Sequence, residues 1–112
     1  MRVEQKISDL GITLPAAATP AAVYVPFVQS GNLLFVSGHI AKRGAEVWSG
    51  QLGRDLQTAD GKAAARLVAI DLMGTLKAAL GDLDRVERIV KVMGLVNSTP
   101  DFTEQHLVIN GC

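Results

Sequence analysis

Aromatic residues are scarce in this chain: one Trp, one Tyr and three Phe, 4% of the sequence. A surface that holds single-stranded nucleic acid by stacking has little to build on. Charge of one sign is missing as well, since eleven basic side chains meet eleven acidic ones and no run of like charge occurs. A nucleic-acid footprint needs clustered excess Lys and Arg, so no nucleic-acid partner is expected. The single cysteine, Cys112, is the last residue, and no disulfide framework closes within the chain. With one cysteine, and a start (Arg2, Glu4, Lys6) that has no export-signal core, a reducing, cytoplasmic setting is expected. No apolar run is long enough to span a bilayer, so no membrane partner is expected.

What the chain does have is aliphatic surface. Hydrophobic residues make up 48% of 112 positions, mostly Ala, Val, Leu and Ile. That length suits one domain, and small domains bury a limited share of their surface. So much aliphatic surface suggests that part of it is covered by other subunits.

Apolar periodicity divides the chain into elements. Val3, Ile7 and Leu10 recur at helical spacing, and Gly11 reads as the stop. Residues 13–22 hold Pro15 and Pro20 and read as an extended link. Residues 24–28 read as an edge or bulged strand interrupted by Pro26. Ser30, Gly31 and Asn32 read as a tight turn. Residues 33–36 are a continuous apolar run, as in a strand covered on both faces. A short strand is expected around Glu46-Val47-Trp48, with Trp48 packing over the core edge rather than stacking on a ligand. The clearest helix is expected over residues 59–80. Leu67, Ile70, Met73 and Leu76 form its stripe, and Gly81 follows as the stop. Gly74 reads as a place where the backbone approaches the sheet, and Asp82 and Asp84 as a solvated turn. Residues 86–97 read as a long strand with two apolar faces. Thr99 and Pro100 then read as the cap and first residue of a helix running through Phe102.

Few residues offer chemistry. Ser37 and Gly38 end the apolar strand, where a hydroxyl and a bare backbone N–H at one spot would dock a carboxylate or carbonyl. The plainer reading is a strand end with a glycine turn. His39 follows them, with an imidazole that titrates near neutral pH, against the plainer reading of a turn histidine without a role. His106 falls on the polar side of the last helix. The two histidines lack metal-ligand spacing, so no metal site is expected. Phosphate-loop and nucleophile-elbow spacings are absent. Phe102 reads as a staple at the helix start or as the lining of a pocket mouth.

Tyr24, the Gly31–Asn32 turn, the apolar run and Ser37–Gly38 resemble the start of the YjgF or Rid family, the reactive intermediate deaminases (older label endoribonuclease L-PSP). There a Tyr-Val…Gly-Asn…Ser-Gly-Gln pattern has similar spacing; His39 stands where glutamine is common. Residues 92–102, ending Thr-Pro-Asp-Phe, resemble the family's strand and its link to a second helix. The resemblance runs from about Ala21 onward. It implies an α+β, chorismate-mutase-like mixed sheet with two helices on one face, in a homotrimer with pockets between subunits. Residues 1–20 would be an N-terminal helix and linker, and 21–112 the core of a single domain. The implied activity is hydrolysis of reactive enamines and imines, such as 2-aminoacrylate and 2-iminopropionate, to keto acids and ammonia, with no cofactor. The implied substrate-binding residues are Tyr24, Ser37, Gly38, His39 and Phe102; no catalytic residue is assigned.

In active members an arginine on a strand after the second helix clamps the substrate carboxylate, and a glutamate on the last strand helps place water. Arg54, Arg66, Arg85 and Arg88 lie elsewhere in the pattern, and Pro100 stands where active members often have asparagine. The order strands, helix, strand, helix lacks a closing strand, so a truncated form of a longer member, its core incomplete, is the expectation. The alternative is a non-catalytic trimeric binder of small carboxylates. Ribonuclease activity, attached to parts of the family, gains nothing from a neutral chain with few aromatics.

Overall fold

The computed structural model describes residues 2–17 and 23–112. It is an α+β chain of three helices and two small antiparallel hairpins among the described residues. In chain order these are α1 (Arg2–Asp9), β1 (Phe27–Ser30), β2 (Leu33–Val36), β3 (Lys42–Arg43), β4 (Glu46–Val47), α2 (Thr58–Leu80) and α3 (Gln105–Ile109), with a 3-10 turn over Leu83–Arg85. One compact unit draws on residues up to His39 and on 70–89; the other draws on 40–69 and 90–112.

In the first unit, α1 ends as its sequence demands. Gly11 takes φ +76, its N–H bonds the Ser8 carbonyl, and the Ile12 N–H reaches back to Ile7. This paired closure satisfies the last carbonyls of the helix. The start of α1 is capped from far along the chain. Both carboxylate oxygens of Asp84 accept backbone bonds, from Val3 at 2.7 Å and from Arg2 at 2.8 Å. The expected solvated turn at 82–84 is therefore a cap, and Asp82 fixes it by accepting the Asp84 N–H at 2.9 Å. Ile7 and Leu83 are buried here, and Lys77 pairs with Glu4 to tie α2 to α1.

The β1–β2 hairpin pairs Phe27 with Val36 through to Ser30 with Leu33. Ser30 thus closes the ladder, and the turn proper is Gly31–Asn32. Gly31 carries φ +58 while Asn32 stays negative, the pattern of a II′ turn. The ladder begins at Phe27 because Pro26 has no N–H to give; its carbonyl accepts the Ser37 N–H at 3.0 Å. Tyr24 falls outside the strand. The expectation that β2 is covered on both faces fails for this chain: Leu33 and Phe35 are 50% and 59% exposed, while Leu34 and Val36 are half-buried.

Helix α2 matches its expected span to within a residue. Asp60 reaches back to the Gln57 N–H at its start. At its end Gly81 takes φ +81, and Arg85 donates to the Leu80 carbonyl. Gly74 permits a close approach, but to the link rather than to the sheet: a Cβ there would stand 2.5 Å from the Pro15 carbonyl oxygen. The rest of the expected link, residues 18–22, lies outside the described residues.

In the second unit, β3 and β4 form a short hairpin in which the Arg43 guanidinium lies 4.2 Å from the centre of the Trp48 ring. Leu52 and Val108 are its buried apolar residues. They meet over Gly61, where a Cβ would stand 2.7 Å from a Val108 methyl. Leu52 bonds the backbone on both sides of Ser98. Two expectations fail. Residues 86–97 carry no ladder, because no other strand among the described residues pairs with them, and Ile89, Val90, Val92, Met93 and Leu95 are exposed. The last helix starts at Gln105, not before Phe102. Pro100 sits in a turn closed by the Phe102 N–H on the Thr99 carbonyl, and Thr99 bonds Leu52 instead of capping a helix.

Candidate functional site

The residues singled out by sequence converge on one end of the β1–β2 hairpin, with one exception. Ser37 leaves β2 and is fastened across the hairpin twice. Its N–H bonds Pro26, and its hydroxyl donates to the Val25 carbonyl at 2.5 Å. The hydroxyl expected to be free is therefore engaged, as is the Ser37 N–H, because a strand end beside a proline leaves two carbonyls open to them. The fastening brings Ser37 beside the backbone next to Tyr24, whose side chain is 44% exposed.

Gly38 comes next and is exposed. Its N–H has no hydrogen-bond partner among the described residues, and nothing lies within 4 Å of where a Cβ would stand. The free donor expected at the Ser-Gly pair is therefore the glycine amide.

His39 is not a turn histidine. Its side chain is 8% exposed, and Nδ1 lies 2.6 Å from Asp71 Oδ2 on α2. Its Nε2 faces the Thr75 hydroxyl at 3.4 Å. Asp71 and Thr75 are one helical turn apart on α2, so both reach one ring from one face. An ionised Asp71 only accepts, which puts the hydrogen on Nδ1 and leaves Nε2 to accept from Thr75. The order hydroxyl, imidazole, carboxylate is that of a nucleophile, its base and an orienting acid. Thr75, however, is 1% exposed, so no substrate reaches its oxygen. The three groups form an anchor.

Sequence reading missed Asp71 and Thr75. A signal was present: Asp71 is the one charge between Arg66 and Lys77, set in an apolar stretch with a hydroxyl four residues on.

Phe102 belongs to the second unit. With Gly53, Arg54, Gln57, Thr58 and Glu104 it lines an open pocket of about 470 Å³. Thr58 donates to Glu104 at 2.5 Å across that pocket. In the adjoining loop the Gln51 N–H donates to Asp55 at 2.6 Å, and this bond holds the Asp55 carboxyl below its ordinary value. His106 is exposed on α3. Among the described residues no three potential ligands cluster to hold a metal ion, and no helix is long and apolar enough to cross a membrane.

This hairpin, its Ser-Gly exit and the long helix behind it define a class. A family model described as "YjgF/chorismate_mutase-like, putative endoribonuclease" matches residues 4–112. The chain is also 50% identical over 111 residues to Protein TCP17 of Trypanosoma cruzi, covering 98% of this chain and 69% of that protein. Two crystal structures are similar. Atu1372 of Agrobacterium tumefaciens, of unknown function, superposes with a TM-score of 0.87 at 46% identity, over 97% of this chain and 67% of that one. A Shewanella oneidensis protein described as "a putative endoribonuclease" superposes with a TM-score of 0.92 at 29% identity, over 96% of this chain and 72% of that one. The chain belongs to the YjgF/chorismate mutase-like family.

Proposed function

We propose that this family member hydrolyses small reactive imines and enamines, of the 2-iminopropionate and 2-aminoacrylate type, to keto acids and ammonia. The reading places it in the cytoplasm, acting without a cofactor as a homotrimer. The observation that carries it is the Gly38 amide, without a hydrogen-bond partner among the described residues, beside a histidine anchored on α2. A backbone N–H held at a fixed spot suits a substrate carboxylate, because a donor bonds a charged acceptor more strongly than a neutral one. Tyr24, at the same end of the hairpin, would border the bound acid. In the reaction water adds to the imine carbon and the C–N bond breaks. The products are a keto acid and ammonia, and no oxidant or reductant is consumed.

Assembly is supported by the exposed apolar residues. Phe35, Val90, Met93 and Leu95 are 59%, 72%, 74% and 88% exposed. Fully burying such a side chain is worth about 1.5–3 kcal/mol.

The experiment follows freshly generated 2-iminopropionate with and without protein. Faster loss with ammonia release supports the hydrolase; a rate equal to buffer overturns it. A second reading, a non-catalytic binder of small carboxylates, is favoured by one observation: the Ser37 hydroxyl and both His39 ring nitrogens are already engaged within the chain. Pyruvate binding without imine turnover would select it.

A further inference from the structure

We infer that Asp71 is a positioning residue for this site: acting through His39, it fixes the Gly38 amide against α2. For its ligand the inference rests on the reading above; its geometry does not.

Gly38 is a single glycine between two anchors. Nothing among the described residues lies within 4 Å of where a Cβ would stand, and glycine on its own visits many backbone conformations. On one side Ser37 is bound to Val25 and Pro26. On the other, the only polar attachment of His39 among the described residues is its ring, held by Asp71 at one nitrogen and Thr75 at the other. The Thr75 contact, at 3.4 Å, is long for a hydrogen bond, whereas the Asp71 contact, at 2.6 Å, is short and charge-assisted. Most of the hold on His39 therefore comes from Asp71. Asp71 is 20% exposed and sits in an apolar stretch of helix, where an acid without a partner is unfavourable. Its partner is the residue after the free amide. A glycine pinned at both neighbours presents its N–H in one direction; pinned at one, it does not.

The test uses the full chain, ¹⁵N-labelled, with pyruvate as the probe. Three proteins are compared: wild type, Asp71→Ala, and the double variant His39→Gln with Asp71→Asn, in which an amide pair replaces the imidazole–carboxylate bond. In Asp71→Ala the Gly38 order parameter is expected to fall from about 0.85 towards 0.6 or below. Pyruvate affinity is expected to weaken roughly tenfold, the scale of a lost hydrogen bond to a charged group. The double variant is expected to restore both. The inference is overturned if Gly38 order and pyruvate affinity in Asp71→Ala equal those of the wild type. It is also overturned if both change with loss of the fold and the refolded double variant does not restore them. Should wild-type protein fail to bind pyruvate, the functional reading falls, while the Gly38 order comparison still decides the positioning claim.

Discussion

His39 Nδ1 stands 2.6 Å from Asp71 Oδ2, joining the exit of a β-hairpin to the middle of a helix 32 residues further along the chain. The bond is largely shielded from water, with the two side chains 8% and 20% exposed. Removing one partner leaves the other without its bond in a poorly solvated place. His39→Ala is expected to lower unfolding free energy by about 2–3 kcal/mol, and His39→Gln by about 1 kcal/mol, because the amide still reaches an acceptor. Urea unfolding of the three proteins measures this, and equal stability for all three would contradict it.

Gly74 and Pro15 make the second prediction. Alanine at 74 would gain about 1 kcal/mol of helix propensity. Its Cβ, however, would stand 2.5 Å from a backbone oxygen, which cannot rotate away as a side chain does. The clash outweighs the gain, and Gly74→Ala is expected to destabilise by about 1–3 kcal/mol. Limited proteolysis should then cut faster within residues 13–17. Unchanged cutting and a higher melting temperature would refute the close approach.

Gly61 poses the same contest in the second unit. A Cβ there would lie 2.7 Å from one Val108 methyl and 3.1 Å from a Leu52 methyl. Val108 is β-branched and stiff, so it yields poorly. Gly61→Ala is expected to cost about 1 kcal/mol net. Paired with Val108→Ala, which removes the obstructing methyls, it should cost less than the sum of the two single changes, as thermal melts of the double-mutant cycle would show.

Asp55 gives a pH dependence whose sign follows from its lowered carboxyl. The bond from the Gln51 N–H favours the charged form, so folded Asp55 holds its proton less tightly than in the unfolded chain. The contribution is present above the ordinary value of 3.8 and is lost as pH falls through the lower folded value. Hydrogen exchange at the Gln51 amide should stay protected at the ordinary value and rise only at more acid pH. Asp55→Asn should abolish that step.

The elements legible in the sequence are those whose cause is local. The stop of α1 at Gly11, the Gly31–Asn32 turn and the span of α2 each rest on residues a few positions apart. The missed features depend on distant chain. Asp84 caps α1 from more than 80 residues away, and no local pattern marks it. Residues 86–97 carry a strand's composition, yet a strand exists only once a neighbour supplies its ladder. Thr99–Pro100 has the chemistry of a helix start and of a turn alike, and the bond to Leu52 decides for the turn. Tyr24, Ser37, Gly38 and His39 are found on one end of the hairpin. Which atom is free was not legible, because the answer depends on the Val25 and Pro26 carbonyls and on Asp71.

The measurement that tests the central claim most directly is a pyruvate titration followed by ¹⁵N correlation spectra of the whole chain. The account predicts that the Gly38 amide shifts most and saturates, with Tyr24 and His39 moving less and residues of α1 unmoved. A saturable shift centred elsewhere, with Gly38 unchanged, would contradict it.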